Sequence, residues 1–191
     1  MNIKLSYLAL IIFVSSGVYA QKGKFSATVA YPVTLGDNFF DRNDGVIDLG
    51  VQYRIINAKI LHVGIGINTA FFNYENEAFS TTENITLLQP KVLAELDIPA
   101  LKGFRPFVGI GYGAFMFRSE FDNGNEVIKE NDDTGGIYMN LGISKDIFAG
   151  LFMHVQYDYL NIKRSDTRVP DPDDAFYKSV SILKLGLGYR F

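Results

Sequence analysis

Eight stretches of this chain alternate apolar and non-apolar residues with a period of two, and each is too long to be an accident of composition. Phe25, Ala27, Val29, Tyr31 and Val33 alternate with Lys24, Ser26, Thr28 and Ala30. Ile47 to Ile55 and Leu61 to Ile67 repeat the pattern, as do Leu88 to Leu96, Val108 to Met116, Ile137 to Ile143, Leu151 to Tyr159 and Leu183 to Phe191. Successive side chains of a strand point to opposite faces, whereas a helix would space its apolar residues by three and four. The mature chain is therefore read as all-β. Eight strands of about 9 to 11 residues match what a tilted strand needs to cross a bilayer.

The links between these stretches sort by length. Asn57 to Lys59, Pro99 to Gly103 and Lys145 to Gly150 are short. Gly36 to Asp44, Asn73 to Asn84, Ser119 to Thr134 and Lys163 to Tyr177 are long and polar. Short and long links alternate strictly, so all long links fall at one end. Barrels of the bacterial outer membrane have short periplasmic turns and longer outer loops. The expected fold is an eight-stranded antiparallel up-and-down transmembrane β-barrel. No stretch after residue 20 has the roughly 18 to 20 apolar residues of a membrane helix, which leaves a closed barrel as the way to span.

Alternation alone does not say which face is inside. The non-apolar stripe is rich in glycine: Gly50, Gly64, Gly66, Gly109, Gly111, Gly113, Gly142, Gly186 and Gly188. Glycine weakens an ordinary strand but suits a crowded interior, and an eight-stranded barrel is only just wide enough for side chains to fill it. The same stripe carries charges of both signs. Asp48, Glu95 and Asp158 face Arg54, Lys91, Lys184 and Arg190, an expected interior polar network in which the groups neutralise one another. The apolar stripe then faces lipid, with Tyr31, Tyr53, Phe71, Tyr157, Tyr159, Tyr189 and Phe191 as candidate interfacial aromatics. Two prolines fall inside strands. A bulge is expected near Pro90, and Pro32 is expected close to the outer rim.

The first twenty residues read as an address. Lys4 precedes the apolar run Leu5 to Val14, followed by Ser15, Ser16, Gly17 and the small-residue end Val18-Tyr19-Ala20. That is the grammar of a cleaved secretory signal peptide, residues 1–20, with the outer-membrane barrel domain over 21–191.

The segment Arg105 to Phe115, RPFVGIGYGAF, and the ending Leu183 to Phe191, LKLGLGYRF, resemble the outer-membrane β-barrel domain proteins common in Bacteroidetes. These are similar in architecture to OmpA/OmpX-type eight-stranded barrels. The resemblance implies an outer-membrane location in a Gram-negative cell and a signal for the barrel-assembly machinery at Leu185, Leu187, Tyr189 and Phe191. Because the sequence stops at its last strand, no C-terminal peptidoglycan-binding domain is expected.

Composition narrows the function classes. The net charge of −3 and the lack of a basic patch argue against nucleic acid. The absence of cysteine removes disulfides, thiolate metal sites and thiol nucleophiles, and no cofactor is expected. The leading expectation is a structural or surface-interaction protein in contact with outer-membrane lipid, its filled interior a poor conduit and its outer loops facing the medium. Those loops are acidic: Glu120, Asp122, Glu126, Glu130, Asp132 and Asp133 lie in one, Asp166, Asp171, Asp173 and Asp174 in another. They are candidate contacts for a surface ligand or a divalent cation, although their spacing fits no calcium loop. An alternative is a ligand-binding or narrow-passage barrel for small apolar molecules, lined by Phe115, Leu93 and Phe152. A lipid-modifying enzyme is a further alternative. It would need His154 with Asp158, about 13 Å apart along one strand, or His62 with Ser26 or Ser144, to come together. No catalytic or metal residue is assigned.

Overall fold

A computed structural model describes residues 24–76, 81–122, 127–162, 176 and 178–191. The signal-peptide reading lies outside the described residues. The eight strands are β1 (Phe25–Leu35), β2 (Asp44–Asn57), β3 (Leu61–Asn76), β4 (Thr81–Leu96), β5 (Phe104–Asp122), β6 (Val127–Phe148), β7 (Leu151–Ile162) and β8 (Ser179–Arg190). Each pairs antiparallel with the next, and β8 returns to β1 to close the barrel.

The registers fix the barrel's size. A path across the ladders starts at Phe25 and passes Tyr53, Ile65, Val92, Ile110, Met139, Tyr159 and Ser181. It re-enters β1 at Leu35, ten residues above its start. That stagger over eight strands, with a rise of ~3.3 Å and a strand spacing of ~4.8 Å, gives a tilt of about 40° and a backbone radius of about 8 Å. Such a cylinder holds one layer of side chains per level and little else.

The walls face as the alternation predicts. Val51, Ile65, Val92, Ile110, Leu141, Val155 and Leu187 are exposed on the outside of the wall, while the polar and glycine stripe turns in. The glycines make the expected room. A Cβ at Gly188 would lie 2.2 Å from the Phe152 ring, and one at Gly109 2.2 Å from the Asn140 amide oxygen.

Three local expectations need correction. No register shift occurs at Pro90, which pairs with Ile67 in an unbroken β3–β4 ladder. On the β5 side pairing lapses between Leu88 and Lys91 and resumes in the same register. Proline lacks a donor on the side where the ladder lapses, and its carbonyl oxygen sits 2.0 Å from where a Cβ at Gly111 would be. Gly111, the partner of Lys91, thus lets the two backbones approach closely beside Pro90, and the strands stay in register without a bulge. The irregularities lie instead between Gly45 and Ile47, Arg54 and Ile56, and Asp146 and Phe148, at the ends of strands. Pro32 lies past the last β1–β2 pair, Ala30 with Asp48, toward the outer end of β1 as expected.

The second correction concerns the long links. Much of 73–84 and 119–134 is strand: β3 pairs with β4 up to Asn76 and Thr81, and β5 with β6 up to Asp122 and Val127. The β5 and β6 strands contain 19 and 22 residues. At about 40° tilt each residue climbs about 2.5 Å, so an apolar band ~25 Å tall takes about ten of them. The two strands therefore continue roughly 20 to 30 Å beyond the band. On β5 and β6 the outward apolar row ends near Tyr112 and Ile137, which are partners, and gives way to Arg118, Glu120, Asn131 and Asp133. The β6–β7 turn is correspondingly tighter than expected. Ala149 and Gly150 have φ of 44° and 87°, the paired positive values of a two-residue hairpin.

The third correction concerns the lumen. Its outer part is apolar, not ionic. Phe72, Ile85, Leu87, Phe115, Leu160, Val180 and Ile182 point inward there, and Phe40 from the β1–β2 loop is inserted among them with no exposed surface. The Phe40 ring packs edge-on at 4.8 Å from Phe72 and 5.2 Å from Phe115, measured between centroids.

Candidate functional site

Below the apolar plug the lumen holds two charged layers. In the upper one, Lys184 on β8 reaches across to β2 and β7. Its Nζ lies 2.7 Å from Asp48 Oδ2 and 2.9 Å from Asp158 Oδ2, and donates to Gln89 Oε1 at 2.6 Å. All three charged side chains are within 1% of complete burial. The remaining carboxylate oxygens are also engaged. Asn68 donates to Asp48 Oδ1 at 2.6 Å, and Gln156 donates to Asp158 Oδ1 at 2.5 Å. Buried ions persist only when paired and hydrogen-bonded in this way. Lys91 lies nearby, buried, with its ammonium 3.5 Å from the Tyr138 hydroxyl. Two lysines thus oppose two aspartates at this level.

The lower layer sits at the periplasmic end, where Glu95 is shared between two arginines. Arg54 pairs with one of its oxygens, and Arg190 lies 3.1 Å from the other. Arg190 also pairs with Asp146, donates to Ser144 Oγ at 2.9 Å and stacks over the Phe152 ring at 3.8 Å. Arg105 bridges Asp97 and Asp146, each at 2.9 Å. All seven residues expected inside therefore face the lumen. Arg105, Asp97 and Asp146 extend the charged set beyond what alternation assigned. Asp146 sits within a bulged stretch and Asp97 just past the end of β4, where alternation gives no direction.

The residues of the two alternative readings separate by level. Phe115 belongs to the plug, whereas Leu93 and Phe152 border a space of about 20 Å³ near Arg190 and His154. That is room for about one water molecule. Ser144 is the cross-strand partner of His154 and not of His62. Its hydroxyl is engaged by Arg190 and by the Arg105 carbonyl. His62 lies 3.9 Å from Asp97. Ser26 is buried and faces Gln52 and Arg190 across its two ladders.

At the outer end, carboxylates predominate on the projecting strands. Glu120 pairs with Lys129 at 2.6 Å and Glu83 with Arg42 at 3.0 Å. Glu130, Asp132 and Asp133 are exposed on β6. Among the described residues no three carboxylates or imidazoles gather closely enough to hold a metal ion. Glu126, Asp166, Asp171, Asp173 and Asp174, and the side chain of Asp122, lie outside the described residues.

The sequence matches the outer membrane protein beta-barrel domain family over residues 6–191. This chain belongs to that family. Solved barrels similar to this family member include the attachment invasion locus protein Ail of Yersinia pestis. It is 14% identical with a TM-score of 0.58, and the match covers 90% of this chain and 100% of Ail. Neisserial surface protein A is 15% identical at a TM-score of 0.54, with 87% and 96% covered. A major outer membrane protein of Thermus thermophilus is 13% identical at 0.59, with 87% and 99% covered. At such identities the likeness is one of fold. A comparison with curated proteins found no match. The chain is an outer-membrane protein of the Gram-negative type, and its exposed apolar wall is the surface that meets lipid. The match establishes the family as a whole; the narrower Bacteroidetes resemblance stays an expectation.

Proposed function

We propose that this barrel is a non-conducting surface-interaction protein that meets its partners through the acidic strands projecting outside the membrane. The observation that carries the reading is the continuation of paired strands β3 to β6 past the apolar band, above a lumen occupied at every level. A passage for apolar molecules would have to cross the buried Lys184 layer between Phe115 and Leu93. Catalysis by Ser144 and His154 would have to proceed inside the barrel, where both side chains are buried.

The outer charge favours a cationic partner. Ail has been crystallised with a heparin analogue, sucrose octasulfate; a polyanion would be repelled by the carboxylates on β5 and β6 here. The test uses the mature protein in lipid nanodiscs against immobilised poly-L-lysine and heparin at low and physiological salt. Capture by poly-L-lysine is expected, and it is lost when 73–84 and 119–134 are replaced by short turns. Capture by heparin instead, or capture unchanged by the trimming, would refute the reading.

We further propose that Leu185, Leu187, Tyr189 and Phe191 form the assembly signal. The first three present exposed side chains along one face of β8. Phe191 closes the seam, its N–H donating to the Phe25 carbonyl at 2.9 Å and its ring packing against Tyr189 and Phe25.

A further inference from the structure

The projecting strands enclose a cavity of about 620 Å³ at the outer mouth, directly above the apolar plug. That volume falls in the range of small-molecule sites, roughly 300 to 1,000 Å³. Its floor is apolar: Phe39 from the β1–β2 loop, Phe117 on β5 and Ile162 at the end of β7. The Phe117 ring stacks on Phe115 beneath it, 5.8 Å between centroids, so the floor is backed by the plug. Its wall carries Glu83, Glu130 and Asp132.

These carboxylates are not equivalent. Glu83 is held by Arg42, which lies over the Tyr74 ring at 4.9 Å. Glu130 and Asp132 are two residues apart on β6, so their side chains leave the same face about 7 Å from each other. Neither has a cationic partner among the described residues. Lys129, next to Glu130 in sequence, points to the opposite face and is taken by Glu120. The site therefore offers aromatic surface below and, beside it, two negative charges that are unpaired among the described residues.

We propose that this cavity binds a small organic cation with an apolar body, its positive group at Glu130 and Asp132 and its body on Phe39 and Phe117. Aromatic faces attract a cation as well as an apolar group, so floor and wall act on the same ligand. A neutral apolar ligand would leave both carboxylates unused, and an anion would be repelled. The proposal rests on this end facing the medium, but not on the poly-L-lysine contact of the whole projection.

The probe is benzyltrimethylammonium, titrated calorimetrically into the full mature protein in detergent micelles. Tetramethylammonium tests the need for an apolar body, and benzenesulfonate the sign of the charge. One probe molecule is expected per chain, bound at least about tenfold more weakly by the E130Q/D132N variant and by the cavity-filling T134W variant. Both variants must keep the heat-modifiable gel mobility of a closed barrel. Neither comparison ion should match the probe. No binding to the wild type, equal binding by E130Q/D132N or equal binding by benzenesulfonate would overturn the proposal. Binding that appears only after Lys163, Arg164 and Arg168 are all replaced by glutamine would also overturn it, by giving the cavity to the chain's own cations. Poly-L-lysine capture without probe binding would remove this site and leave the surface reading standing.

Discussion

Replacing Lys184 with methionine tests the ionic layer most directly. Methionine keeps most of the side chain's length, one atom short of lysine, and removes the charge and its donors. Asp48 and Asp158 would then lose contacts of 2.7 and 2.9 Å and remain in the lumen with amide partners and only the more distant Lys91 as a counter-charge. Breaking one buried pair costs about 3 to 5 kcal/mol, because an uncompensated charge stays behind. Here one cation contacts two carboxylates, both almost fully buried, while Lys91 stays at the same level and offsets part of the charge left behind, so a loss near the middle of that range, about 4 kcal/mol, is expected. The quadruple variant D48N/K91M/D158N/K184M removes every charge of the layer and should recover most of that loss, leaving about 1 to 2 kcal/mol for imperfect amide contacts. Urea unfolding in lipid vesicles, followed by far-ultraviolet circular dichroism, measures both under conditions where folding is reversible. Equal denaturant slopes would show that the same surface is being unfolded. A loss below about 1 kcal/mol for K184M, or a quadruple variant no more stable than the single one, would refute the account of the layer as mutually compensated charge.

Two further outcomes follow from the wall and the seam. Leu185 faces outward and pairs with Tyr31 and Val155, so Leu185→Arg should cost about 2 to 4 kcal/mol in vesicles by the same unfolding measurement, and an unchanged midpoint would reverse the assignment of faces. Deleting Phe191 should lower the amount of folded barrel in the outer membrane of expressing cells while the purified variant still refolds in micelles; equal amounts in cells would dismiss its role in assembly.

Much of the wall was legible because each strand in the membrane must serve two solvents at once. Lipid outside and a narrow lumen inside impose a strict alternation, and Val51, Gly66, Ile110 and Gly188 obey it. The seven interior charges were legible for the same reason. The upper barrel was not. Ile85, Leu87, Val180 and Ile182 face inward but lie where the outward residues become Thr86, Ser181 and other polar groups, so the contrast between faces inverts. Above the lipid the outside becomes wet and the inside packs like an ordinary core. A stripe read as lumen by its polarity is therefore lost at that height. Phe40 gave no periodic signal, because it enters the plug from a loop. Pro90 misled for a different reason: the space left by Gly111 on the neighbouring strand relieves it, and no local reading of β4 contains that fact. The outer cavity joins residues from five separate segments, and only the barrel's closure brings them together.

The long β5–β6 hairpin has a mechanical consequence. Its strands leave the membrane as uninterrupted continuations of the wall, so their backbone is already fixed when a partner arrives. A floppy loop of similar length would surrender about 1 to 2 kcal/mol per residue immobilised at that moment. Here the loss of freedom was incurred when the barrel formed. Such a mast presents its charges at a set height and angle, and favours partners that recognise a rigid outline over those that mould a soft one.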